Sequence, residues 1–288
     1  MNQLRSSKLI CLALAMAALA GCARRYAVTG IVVAVRSTLN EVVVSHKEVE
    51  GVMPAMTMPF KTSKPSLAGL YPGARVTFQM RPGRSGIARL KLAPSSLEGL
   101  KLEDGESLKL APPANAVSMQ QLVPDFELSD QEGKLTRLSD FKEKTVVVNF
   151  IYTRCPMPDV CPRLSAGFAF LQKKLAARIG SELILLSITL DPVYDTPQVL
   201  SEYAAKWHAD KKAWRLLTGS KELVRQVAGQ FGLVYWAEED SIVHTSATSI
   251  INCEGRLVAR IEGSSYSVAQ LADLVSSVLD HKKGLPCD

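Results

Sequence analysis

The stretch Thr145–Tyr152 (TVVVNFIY) most constrains how this chain can fold. It is nearly all apolar and rich in β-branched residues, so it reads as a strand buried on both faces, as in a sheet covered by helices. Next come Cys155 to Pro162 (CPMPDVCP) and then Arg163–Arg178, where Leu164, Phe168, Leu171 and Leu175 fall at amphipathic-helix spacing. Glu182–Leu190 (ELILLSITL) repeats the buried-strand pattern. A strand, a helix and a second buried strand predict a parallel pair. Both cysteines then lie at the carboxyl end of the first strand, the edge where open α/β sheets gather reactive groups.

The remaining patterns extend this unit. Val123–Leu128 and Leu135–Leu138 read as a hairpin, Pro197–Trp207 and Ser220–Phe231 as helices. Ser246–Ile251 and Arg256–Ile261 read as a second hairpin, and Val268–Leu279 as a last helix. The order β-α-β then β-β-α is the thioredoxin arrangement with additions. If Ser246–Ile251 runs antiparallel to the central pair, His244 starts at the cysteine edge. Two thiolates and an imidazole form a soft donor set suited to Cu(I) and able to hold Cu(II). Pro162 suits a first helical position, and a helix N-terminus favours thiolates. A structural disulfide is the alternative for Cys155 and Cys161. For Asp191 the plain role is to end a strand, for Asp159 to cap the helix, and for Arg154 to sit exposed or to stabilise thiolate. His208 and His281 read as solvated.

Upstream, Val28–Val35, Glu41–Ser45, Thr57–Phe60, Arg75–Met80 and Ile87–Leu92 read as short strands, a pattern that fits a small all-β barrel. In a strand Met56 and Met58 share one face, and His46 ends the preceding strand, so two thioethers and an imidazole can meet. Such donors select Cu(I) or Ag(I). Filling an irregular core is the alternative for the methionines. Pro54 and Pro59 predict an edge or rim strand. Residues 93–121, with Pro94, Pro112 and Pro113, read as an interdomain connection with a short strand near Glu106–Leu110.

The N-terminus has Arg5 and Lys8, then the apolar run Leu9–Ala20 and Leu19-Ala20-Gly21-Cys22. The run is too short to span a bilayer and fits a secretory signal. The tetrapeptide resembles a bacterial lipoprotein box, which implies cleavage before Cys22, acylation of its sulfur and a membrane tether outside the cytoplasm. Net charge is +6, and removing those two cations leaves +4. No concentrated basic run supports a nucleic-acid partner.

Two family resemblances follow from these residues. The pattern H-x6-MPAMTMPF, starting at His46, resembles the small periplasmic CusF-like copper-binding domains and covers about residues 28–92. It implies an OB-like barrel that binds one Cu(I) or Ag(I) through His46, Met56 and Met58. Met53 stands where the founding members carry a stacking Trp, and the His-to-Met spacing is one residue shorter. That removes a cation–π cap and offers a third thioether. PDFELSDQEG, FIYTRCP…DVCP, SITLDPVYDTPQVL and VHTSATSIINCEGRL, within about 122–281, resemble the Sco/SenC family. The resemblance implies a thioredoxin-like copper chaperone with Cys155, Cys161 and His244 as ligands, delivering copper to the CuA site of cytochrome c oxidase. Some members are thiol–disulfide reductases. Common members have three residues between the cysteines, whereas this chain has five and places Met157 among them.

The expected organisation is a lipoprotein signal at 1–21, a copper-binding barrel at 22–92, a linker at 93–121 and a thioredoxin-like domain at 122–288. The expected function is that of a periplasm-facing, lipid-anchored carrier of copper with an oxidase subunit or another copper protein as recipient. Copper detoxification and envelope thiol–disulfide exchange are the alternatives. The absence of C-x-x-C and of any proline between Pro197 and Pro286 weighs against an ordinary thioredoxin-type oxidoreductase, and the Tyr-Thr-Arg preceding Cys155 weighs against a peroxidase. Cys253 and Cys287 have no assigned role.

Overall fold

A computed structural model describes residues 25–81, 95–102, 113–238 and 241–281. The signal and lipidation readings at residues 1–22, the strand readings at 87–92 and 106–110, and Cys287 lie outside the described residues.

In the second unit, β8 (Thr145–Ile151) and β9 (Leu183–Thr189) are buried at every residue and pair in parallel, from Thr145↔Leu183 to Ile151↔Thr189. β10 (Trp214–Thr218) adds a third parallel strand beside β9. β6 (Glu127–Asp130) and β7 (Leu135–Arg137) extend that edge. On the other edge β13 (Ala247–Ile251) lies antiparallel to β8, followed by β14 (Leu257–Glu262). The order is β14-β13-β8-β9-β10-β6-β7. Apolar side chains fill both faces. Leu164, Phe168 and Leu171 of the cysteine helix (Cys161–Lys174) pack on one face with Leu271, Leu274 and Val275 of the C-terminal helix (Val268–His281). Val224 and Val227 of the helix Lys221–Gln230 cover the other. Burying residues of this size stabilises by roughly 1.5–3 kcal/mol each.

In the first unit, β1 (Tyr26–Arg36) pairs with β2 (Glu41–His46), and β2 with β3 (Met56–Lys61). β4 (Arg75–Arg81) pairs with β1 and with β5 (Ser95–Leu102), and β5 meets β3 in parallel. The ring order β1-β2-β3-β5-β4 closes on itself. Val28, Val42, Val44, Phe60, Val76 and Phe78 fill its interior, with the Phe60 and Phe78 rings edge to face at 4.7 Å.

One expectation changes, and one holds for half of its strand. The segment read as a linker supplies β5, and residues 115–123 lie on the second unit, with Val117 N donating to Gln230 O at 2.8 Å and Gln120 N to Leu257 O at 2.7 Å. The sequence SSLEGLKL has too few β-branched residues to announce a strand. β2 pairs with all of β3 on one side. On the other, among the described residues, β5 meets it only at Phe60 and Lys61, so the Met56–Met58 half lies at an edge as the prolines led one to expect, while the Phe60 end is paired on both sides.

Candidate metal centres

Cys161 opens its helix and is fully buried, while Cys155, in the preceding loop, is half-exposed. Both are free thiols, which removes the structural-disulfide alternative for this conformation. Their protons are shared unequally. The Cys161 side chain donates to Cys155, and backbone N–H groups of Met157 and Cys161 and the Tyr152 hydroxyl add to it, so Cys155 falls to about 5. Cys161 is pushed up, first by the hydrogen bond it gives to Cys155 and then by burial. The expectation of two activated thiols is therefore corrected. The helix N-terminus favours the charge on its neighbour, because one thiolate discourages a second beside it.

His244 ends β12 (Ser241–His244), which among the described residues pairs only with β11 (Tyr235–Glu238), in a separate two-stranded ribbon. Its Nδ1 lies 2.9 Å from the carbonyl of Thr245, and burial pushes its pKa down while the Cys155 charge opposes the shift. A neutral imidazole is the ligand form. Tyr152 stands between His244 and Cys155. Its ring meets His244 edge-on at 6.0 Å, and its hydroxyl hydrogen-bonds Cys155 and accepts from Ile242 N at 3.4 Å. The two cysteines meet, and His244 stands one ring away. Among the described residues no three His, Cys, Asp or Glu side chains already form a metal cage.

Arg154 Nε donates to Asp191 at 2.7 Å and its guanidinium lies over the Tyr194 ring at 4.8 Å, so it braces the end of β9 rather than the thiolate. Asp159 does not cap the helix, because Val160 holds that position without a side-chain bond. Its carbonyl accepts from Ser264 Oγ at 2.8 Å. His208 is exposed. Cys253 is disulfide-bonded.

Two residues of this site were not legible in sequence. Tyr152 reads as one more buried aromatic. Asp195 reads as a loop acid but is fully buried. It accepts from Thr153 N at 3.1 Å, from the Thr153 hydroxyl and from Thr189 Oγ1 at 2.5 Å. It ties the exit of β8, just before the cysteine loop, to β9. The ‘DPVYD’ spacing was the available signal, but only the turn reveals the partners. Tyr152, Thr153 and Cys155 also line a cleft of about 230 Å³ with Tyr203, Lys206 and Trp207.

The second donor set lies in the first unit. His46 pairs directly with Met56 across β2 and β3, and Val44 with Met58 two rungs on. Alternation puts His46, Met56 and Met58 on the face that carries Val44 and Phe60 inward. His46 is 1% exposed, its Nδ1 lies 2.7 Å from the Lys47 carbonyl, and its buried Nε2 has no partner among the described residues. An orphaned buried acceptor costs roughly 1–3 kcal/mol, which a bound soft cation would offset. Burial lowers the His46 pKa, so the ring is neutral. Met58 is buried, while Met56 and Met53 are half-exposed toward the rim. Phe60 meets the His46 ring edge-on at 6.1 Å. These donors fit a soft monovalent ion.

Two family models match successive parts of the chain. Residues 114–280 match the SCO1/SenC family model, and residues 25–91 match the model described as copper binding periplasmic protein CusF. The SCO1 protein homolog of Bacillus subtilis (strain 168) is 28% identical over 145 residues, covering 49% of this chain and 74% of that protein. A putative copper-binding protein of Stutzerimonas stutzeri is 25% identical over 169 residues, 57% of this chain and 80% of that one. A SCO1/SenC family lipoprotein of Bacillus anthracis str. Ames superposes with a TM-score of 0.50 at 25% identity, over 58% of this chain and 96% of its own.

Proposed function

The chain belongs to the SCO1/SenC family, and on that premise we propose that it carries copper on two soft-donor sets and delivers it to a respiratory oxidase during assembly. One observation carries the reading. A thiol pair beside an imidazole, Cys155 and Cys161 with His244, shares a chain with an imidazole–thioether set, His46 with Met56, Met58 and Met53. Thiolate, thioether and neutral imidazole are the donors that hold Cu(I) against hard ions.

Copper is the cargo. At the cysteine set the ion first meets the Cys155 thiolate, and binding to Cys161 releases its proton. His244 completes the set through movement of the β11–β12 ribbon, since an isolated two-stranded ribbon holds its place weakly. Met157, 56% exposed in the five-residue loop, offers a further thioether. In the barrel, of OB-like order in this reading, His46 Nε2 and the two methionines take the ion, and Met53 replaces the family's aromatic cap with an exchangeable donor. The basic and apolar run of residues 5–20 and Cys22 support a location in the cell envelope, on a lipid anchor facing the periplasm. Among the described residues no helix is long and apolar enough to cross a membrane.

A second reading is thiol–disulfide exchange, favoured by the Cys155 thiolate lying against the Cys161 thiol. The pair would pass two electrons to a partner disulfide and close its own. A strain lacking the gene separates the readings. Loss of oxidase activity restored by added copper supports delivery. Normal oxidase activity with copper hypersensitivity supports detoxification and contradicts delivery.

A further inference from the structure

The rung between the two ligand rungs of the barrel is Ser45↔Thr57, with His46↔Met56 on one side and Val44↔Met58 on the other. Side chains alternate along a strand, so the donors face inward while Ser45 and Thr57 face outward. Outside them stands Asp273, on the C-terminal helix of the other unit. A single carboxylate oxygen, Oδ2, accepts from Ser45 Oγ at 2.7 Å and from Thr57 Oγ1 at 2.6 Å. One helical turn earlier, Gln270 Nε2 donates to the Ser45 carbonyl at 3.0 Å. Gln270 is 4% exposed, and its Oε1 is fixed by Ser267 N at 3.0 Å. Residues three apart share a helix face, so both side chains meet the same rung. Ser45 is itself only 3% exposed. These contacts form a built joint, and the two bonds to a carboxylate belong to the strong, charge-assisted class.

The same short segment also reaches the cysteine loop. Ser264 Oγ bonds the Asp159 carbonyl, and Arg163 Nη2 donates to the Tyr266 carbonyl at 3.1 Å. Residues 264–273 therefore hold the cysteine loop at one end and the barrel rung at the other.

We infer that Asp273, assisted by Gln270, is a positioning residue for the barrel's metal donors, so that soft-metal affinity in the barrel depends on docking to the second unit. This rests on the copper reading of His46, Met56 and Met58. Two strands bridged from outside by one carboxylate keep their rungs in register and twist, which reduces the ordering cost of closing donors on an ion. Linkage makes the effect reciprocal, so the ion also tightens the joint.

The test uses the full chain with Cys155→Ser and Cys161→Ser, which removes both thiols of the second donor set, in a Cu(I) competition titration with a chromophoric chelator. Asp273→Ala is expected to weaken binding about tenfold at unchanged stoichiometry, as loss of a charge-assisted pair implies. Asp273→Asn, which keeps an acceptor oxygen, should stay within about threefold. Ser45→Ala with Thr57→Ala should reproduce the alanine loss and add nothing on top of it. Cu(I) should slow amide exchange at residues 270–273 in the parent but not in Asp273→Ala. Affinity within twofold of the parent in Asp273→Ala, or equal losses in Asp273→Ala and Asp273→Asn, would overturn the inference. His46→Ala with Met58→Ala is the separate arm. Loss of copper there supports the copper reading whatever Asp273 does, and retained copper overturns that reading together with this one.

Discussion

Cys155 and Cys161 are chemically identical side chains that the fold makes unequal. The half-exposed one collects hydrogen bonds from its partner, from two backbone N–H groups and from Tyr152, while the buried one keeps its proton. A thiol whose pKa is depressed is thiolate above that value and loses reactivity as pH falls through it. Iodoacetamide should therefore label Cys155 first, at a rate that is flat near neutrality and drops as pH falls through about 5. A midpoint near the ordinary thiol value of about 8.5 would contradict this. Tyr152→Phe removes a hydroxyl that donates to Cys155, so the same profile should move to higher pH. An unmoved profile would exclude Tyr152 from the site. The sulfur and imidazole residues were legible because their types and spacing carry chemistry. Tyr152 and Asp195 were not, because their roles come from partners that only the folded chain supplies.

At the scale of elements, the hairpin β2–β3 matters most in the barrel, and it depends on a neighbour without a side chain. Gly30 lies opposite His46, and a Cβ there would meet Val44 Cγ1 at 2.5 Å, the Ser45 carbonyl at 2.6 Å and His46 Cα at 2.9 Å. Gly30→Ala should cost ~1–3 kcal/mol by overpacking and weaken copper binding at His46. Urea unfolding and titration check both, and an unchanged midpoint would show that the strand shifts freely. β8, β9 and their flanking helices were readable from periodicity. β10 (WRLLT) and the β11–β12 ribbon were not, because they are too short to show a period before pairing fixes them. His244 closes that ribbon and, as its sequence position led one to expect, stands just ahead of β13; the ribbon that carries it is what the sequence did not show.

At the scale of the whole molecule the units meet along a seam rather than through a free tether. Ile31 of β1 packs in the same apolar cluster as Leu271 and Leu274. Arg260 N donates to the Pro72 carbonyl at 3.3 Å, and Arg75 reaches the Glu262 carbonyl at 3.3 Å. Gly73, at φ +98°, has its missing Cβ only 2.1 Å from the Arg260 carbonyl, so Gly73→Ala should open the seam. Faster amide exchange in both β14 and β1 would register that opening, and unchanged exchange would contradict it. Sequence showed two units but not this seam, because polar contacts between distant segments leave no local pattern.

The proposed function requires one chain to hold copper on two separate soft-donor sets. Titrating the reduced mature protein with Cu(I) against a competing chelator tests it most directly. Two ions should bind per chain. Cys155→Ala should remove one, and Met56→Ala with Met58→Ala the other. A stoichiometry unchanged by Cys155→Ala, or unchanged by the paired methionine substitutions, would contradict the account.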